Sequence, residues 1–196
     1  MFFIKRIQYN SPVILTFALL SLLVLGISTL TEGLSTRYLF SIYRAELTEP
    51  LFYFRLFGHV FGHSNFAHYF NNFILILLIG PMLEEKYGWK NMLIMMVTTA
   101  LLTGILNIIF FDTMLLGASG IVFMLILLSS FVNLERGRIP VTLLLIICVF
   151  IGREIYDGFV NTDNISQLSH IIGGLCGAVL GFFINKNKLI GSNVDV

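Results

Sequence analysis

Long uncharged runs alternate along this chain with short charged clusters, and the run lengths predict its elements. Between Arg6 and Glu32 stand 25 residues without a charge. Only histidines interrupt the apolar pattern from Arg55 to Glu84. Uncharged stretches follow at 91–111 (21 residues), 113–134 (22) and 164–185 (22). A helix needs ~20 residues to cross a bilayer core, so each is long enough. Segment 139–152 has only 14 uncharged residues before Arg153 and Glu154, short enough for a partial helix. Extended to Gly158 it crosses, with the charged pair near the interface. The pattern predicts an all-α integral membrane protein with six spans, at about 12–31, 66–84, 91–111, 117–134, 139–158 and 165–185. The first run exceeds a signal-peptide core and lacks a small-residue cleavage site, so it reads as a helix that is retained.

Composition agrees with lipid as the solvent. Hydrophobic residues make up 57% of the 196 and charged residues 12%, about half the usual soluble share. A single domain over 1–196 is expected, with the excess apolar surface facing the bilayer. A net charge of +1 gives no concentrated basic patch, so nucleic acid is not an expected partner. Cys148 and Cys176 stand inside apolar runs and read as small buried hydrophobes.

Loop charge orients the bundle. With the N-terminus cytoplasmic and six crossings, the inner side holds Lys5, Arg6, Lys86, Lys90, Arg136, Arg138, Lys186 and Lys188. The outer side holds Arg37, Arg44, Arg55 and Arg153. Eight basic residues inside against four outside is the direction the positive-inside rule requires, and places both termini in the cytoplasm. The first outer loop, about 32–65, is long and rich in Phe and Tyr, which suits the headgroup zone.

Polar residues inside a membrane are costly and hence functional candidates. Spans two, four and six all run from outside to inside, and each carries one or more near its outer start: His68 and Asn72, Ser119, and His170. A few residues at ~1.5 Å each is less than ~10 Å of depth, so the four share one level. Ser119 lies in Gly117-Ala118-Ser119-Gly120, where a loop becomes a helix. A hydroxyl needs a base to become a nucleophile, and histidine suits that task near neutral pH. Glycines beside it let a substrate backbone approach and leave helix-start N–H groups for an oxyanion. Taken alone, Ser119 reads better as a packing residue, since small residues are common at membrane helix contacts. His170 heads a small-residue stripe with Gly173, Gly177 and Gly181; alone it is equally a packed neutral histidine. If the fifth segment failed to cross, His170 would sit at the opposite face from Ser119.

His68 and Asn72 are one helical turn apart, and both can donate hydrogen bonds. His59 and His63 are also spaced by four, which on a helix could hold a metal. No H-E-x-x-H is present, and the loop's carboxylates bear no evident spacing to the pair, so no metal or other cofactor is expected. No carboxylate stands within a span near His170, which favours a Ser–His dyad over a triad.

At this point the sequence resembles the rhomboid family of intramembrane serine proteases, in its compact six-helix bacterial form, over about residues 55–181. Arg55 followed by Gly58-His59 through His63, His68 and Asn72 is similar to the family's first-loop and second-helix pattern. Gly80-Pro81-Met82-Leu83-Glu84-Glu85-Lys86-Tyr87-Gly88 is similar to its G-x-x-x-E-x-x-x-G. The G-x-S-G at Gly117–Gly120 and His170 with Gly173 and Gly177 complete four motifs in order.

The resemblance implies a rhomboid-like bundle with a half-submerged first loop. It implies Ser119 as nucleophile, His170 as base, and an oxyanion hole of His68, Asn72 and the Ser119 N–H. Arg55 and Glu84 become structural, and the fifth helix with the loop about 153–166 gates access. Partners are transmembrane protein substrates and the lipid bilayer; a prokaryotic plasma (inner) membrane is the expected location. Two departures stand out: Phe54-Arg55 where the family often has Trp-Arg, and Phe123 where a Tyr often follows the nucleophile. The main rival is a rhomboid-fold protein that binds membrane clients without cutting them. A small transporter is a second rival, but the polar residues cluster on one side of the membrane.

Overall fold

The computed structural model describes residues 8–131, seven positions between 141 and 152, and 164–191. The described residues are helical apart from loops and one isolated β-bridge. In chain order they form α1 (Pro12–Leu30), α2 (Leu34–Leu39), α3 (Pro50–Gly58), a 3₁₀ turn (His59–Phe61), α4 (Phe66–Tyr87), α5 (Trp89–Phe110), α6 (Ser119–Ser130) and α7 (Asn164–Gly191). The seven positions between 141 and 152 are also helical. Helices α1, α4 and α5 are long and apolar enough to cross a membrane; α6 and residues 169–183 of α7 are shorter apolar helices. The inner end of the fourth predicted span, Arg136, Arg138, Arg153, Glu154 and the loop to 163 lie outside the described residues.

Outward positions identify the solvent. Leu23, Leu78 and Ile94 on the three long helices are exposed by 60%, 72% and 59%. A surface that apolar is stable only against lipid. Cys148 corrects its expected burial: it faces outward, where a small apolar thiol suits lipid, whereas Cys176 is buried. The main core gathers Ile14 and Phe17 of α1, Phe73, Ile76 and Leu83 of α4, Met92 and Met95 of α5, and Ile121, Met124 and Leu128 of α6.

Local chemistry sets the helix ends that matter for the site. Asn65 caps α4, its side chain accepting from the His68 N–H at 2.8 Å. Helix α1 has no side-chain cap of its own from Ser11. The Glu84 carboxylate reaches across from α4 instead, accepting from the Val13 and Ile14 N–H groups at 3.0 and 2.9 Å. A carboxylate 3% exposed is tolerated there because it meets orphan donors at a positive helix end.

The first loop is built as a brace. Arg55 is 2% exposed, donates to the Tyr38 carbonyl at 2.7 Å, pairs with Glu49 at 3.0 Å and lies over the Tyr43 ring. Ile42 and Leu115 exchange two backbone hydrogen bonds, both 2.9 Å, in the β-bridge. Arg44 donates to the Ile108 and Ile109 carbonyls at the end of α5. The loop thereby grips the segment that leads into α6.

Helices α6 and α7 run side by side in parallel. A Cβ at Gly173 would run into the Gly120 carbonyl, one at Gly177 into the Met124 carbonyl, and one at Gly181 would approach Leu128. The contacts advance together, four residues at a time, as parallel helices require. The starts of both helices therefore stand at the same end of the bundle.

Candidate active site

Ser119 is the first residue of α6 and follows a turn that only glycine permits. Gly117 has φ +117°, and a Cβ there would sit 2.8 Å from His68 Nε2. The Gly117 N–H donates to the His59 carbonyl at 2.9 Å, tying the turn to the first loop. In the first turn of α6 the Ser119 and Gly120 N–H groups have no acceptor within the helix. They point with the positive end of the helix dipole, suited to a developing negative charge.

His68 and Asn72 stand one turn apart on α4, facing the Gly117 turn. The His68 ring packs against Gly117, and Asn72 Nδ2 is 3.9 Å from where a Gly117 Cβ would be. On its other side Asn72 Nδ2 is 3.2 Å from His63 Nε2. The His63 Nδ1–H donates to the Phe61 carbonyl at 3.1 Å, which leaves Nε2 as the acceptor for Asn72. Burial, reinforced by the nearby His68, pushes the His63 pKa down to about 4, so the ring is neutral at neutral pH. Ser64 Oγ lies 3.2 Å from His68 Nδ1.

His170 sits near the start of α7, and its ring lies against Phe123 with centroids 4.2 Å apart and planes tilted by 34°. Gly173 explains the approach: α7 meets the α6 backbone one turn after His170, and Ser169 lies beside Gly120. A cavity of about 550 Å³ opens between these elements. Asn72 of α4, Ser119 and Phe123 of α6, His170 of α7, and Leu145 and Val149 of the 141–152 segment line it. Four polar candidates are thus grouped: three on the cavity wall, and His68 behind the Gly117 turn. Arg55 and Glu84 are elsewhere, in the loop brace and at the α1 cap.

His59 and His63 do not share a helix face, because the 3₁₀ turn ends at Phe61 and His63 lies beyond it. Each ring has its own partners. His59 Nδ1–H donates to the Arg55 carbonyl at 3.1 Å, with Nε2 3.3 Å from Thr103 Oγ1. Burial pushes the His59 pKa down to about 4. The roles of His63 and Ser64 beside the site escaped sequence reading. The pair His63–Asn72 is nine residues apart and crosses a loop, so no helical spacing reveals it; Ser64 and His68 differ by four, a usable signal.

The Rhomboid domain family profile matches residues 51–187. That range contains every residue of the cavity. The chain belongs to the rhomboid family. Among curated proteins it is similar to Rhomboid-like protease 2 of Toxoplasma gondii, 29% identical over 143 residues. The match covers 68% of this chain and 48% of that relative, so the chain spans about half the relative's length. The rhomboid assignment fits an all-helical membrane fold with apolar candidate spans.

Proposed function

We propose that this rhomboid is an intramembrane serine endopeptidase that cuts membrane-anchored proteins in or near their transmembrane segments. The observation that carries the reading is the grouping of Ser119, Asn72 and His170 on one cavity wall, with Ser119 at a helix start. Family membership and a protease-named relative support the same class.

In this mechanism His170 accepts the Ser119 hydroxyl proton as the oxygen bonds the scissile carbonyl carbon. Negative charge passes to the carbonyl oxygen, where His68, Asn72 and the Ser119 N–H donate to it. His170 returns the proton to the leaving amine as the C–N bond breaks. Water, deprotonated by the same ring, then hydrolyses the acyl ester and frees Ser119. Phe123 backs the imidazole, and Gly117, Gly120, Gly173 and Gly177 keep the backbones close enough for these contacts. No metal or cofactor enters these steps.

Six spans in a single domain over 1–196, with both termini cytoplasmic in a plasma membrane, is the arrangement proposed with this function. Parallel α6 and α7 support the count, because the chain leaving the end of α6 has to regain the end where α7 begins. The segment around 139–158 then crosses and, with the loop to 166, gates substrate access.

The test is cleavage of a single-span reporter by purified protein in liposomes. Wild type cuts, while Ser119→Ala and His170→Ala do not; equal cleavage by Ser119→Ala sinks the mechanism. Cysteine labelling at positions 157–163 from the outer side checks the topology, and labelling from the cytoplasm alone overturns it.

A further inference from the structure

We propose that His63 and Ser64, adjacent residues of the first loop, are positioning residues that preset the hydrogen-bond donors of Asn72 and His68. The inference rests on the oxyanion role given to that pair under the proposed function. The loop dipeptide meets both side chains from behind: His63 Nε2 at 3.2 Å from Asn72 Nδ2, and Ser64 Oγ at 3.2 Å from His68 Nδ1.

Both donors have a wrong state: the geometry excludes that of Asn72, and the proposal assigns that of His68. An asparagine amide presents either NH₂ or carbonyl oxygen, and the oxygen would repel an oxyanion. His63 removes that choice. Its Nδ1–H is committed to the Phe61 carbonyl, so Nε2 offers a lone pair that only the NH₂ of Asn72 can meet. The second NH₂ hydrogen remains for the site. A neutral imidazole likewise carries its proton on one nitrogen only. With the Ser64 hydroxyl donating to Nδ1, the His68 proton resides on Nε2, the atom that faces the Gly117 turn.

Neither residue touches the cavity that holds Ser119 and His170. Ser64 is exposed and His63 is fully buried, so the two differ in what they contribute to folding. The His63 ring also stays neutral at neutral pH, as an acceptor at Nε2 requires.

Ser64→Ala is the primary test, because an exposed Ser-to-Ala change leaves folding nearly untouched. A single hydrogen bond corresponds to a roughly 3- to 10-fold loss, expected in kcat with KM unchanged. In a His68→Ala background the same substitution should have no further effect, since its only route is through His68. Ser64→Thr keeps the hydroxyl and restores kcat. His63→Leu should lower kcat about 10-fold or more. That loss vanishes in an Asn72→Ala background and is partly recovered by His63→Gln, whose Oε1 stands in for Nε2. Losses that multiply undiminished in the double variants, or that fall on KM, overturn the proposal.

A second readout is independent of turnover. In ¹⁵N-histidine spectra of the wild type, His63 should carry its proton on Nδ1 and His68 on Nε2. Ser64→Ala should release His68 into a mixture of tautomers. A wild-type His68 protonated on Nδ1 overturns the inference even where cleavage is normal. Failure to cleave with both tautomers as assigned overturns the protease reading and leaves the loop geometry standing.

Discussion

Ser119 and His170 face the same cavity, but the chain holds them by different physics. The turn before Ser119 is an irregular segment with backbone groups to satisfy, and directional hydrogen bonds hold it. Gly117 donates to His59, Leu115 pairs with Ile42, and Arg44 covers the end of α5. His170 belongs to a helix whose backbone is already bonded within itself. It is placed by close approach: Gly173 and Gly177 against the carbonyls of Gly120 and Met124. Lipid gives helices little hydrophobic reason to associate, so packing at short range becomes a main source of contact. A bonded brace tolerates the loss of one bond among several, whereas a backbone-to-backbone contact fails with the first added methyl.

That contrast predicts the largest effect at Gly173. Gly173→Val places a Cβ where the Gly120 carbonyl stands, forcing α7 away from α6. A displacement near 1 Å lowers activity on the order of 100-fold, measured as reporter cleavage in liposomes. Gly181→Ala is the control, since its Cβ meets the flexible Leu128 side chain at 3.0 Å and should cost far less. Full activity in Gly173→Val would erase the distinction between bonded and packed sides.

Glu84→Ala comes next, acting on stability instead of the site. It strands the buried Ile14 donor and the part-buried Val13 donor at the start of α1, a loss of about 2 kcal/mol. Thermal unfolding in detergent reads it, and the protein that remains folded should keep its turnover.

Acid should weaken the braced side specifically. The folded loop holds His59 and His63 neutral, with pKa pushed down from 6.5 to about 4. Between those values the unfolded chain binds protons that the folded loop refuses, so stability falls as pH drops from 6.5 towards 4. Hydrogen exchange of loop amides across that window checks it, and a flat response would place the rings in water. The smallest effect is expected for Phe123→Tyr. Its ring can still lie on His170, so cleavage should stay within about twofold and stability within about 0.5 kcal/mol.

Much of this was legible in the sequence for reasons the structure makes concrete. The apolar runs at 12–31, 66–84 and 91–111 become α1, α4 and α5, displaced by up to three residues at their ends. Length and hydropathy alone carry that information. The Gly173–Gly177–Gly181 stripe announced a close helix partner, and α6 is that partner. The first loop was not legible beyond its aromatic content. Its folding depends on single contacts between distant residues, such as Ile42 with Leu115 and His63 with Asn72, which leave no period in the chain. The i, i+4 spacing of His59 and His63 gives no shared face for the same reason: helical geometry stops at Phe61.

The Glu84 contact also bears on the order in which the protein is made. The opening helix reaches the bilayer with its first N–H groups lacking a side-chain acceptor from Ser11. Its acceptor lies 70 residues downstream, at the far end of α4. Until that stretch has been synthesised and inserted, α1 lacks its terminus contact and its neighbour Gly80, against which Ile14 packs. A ribosome paused before residue 84 should therefore hold an α1 whose first turn is still unanchored. Release past that point seats the start of the first hairpin, so one late glutamate ties the anchoring of α1 to the progress of translation.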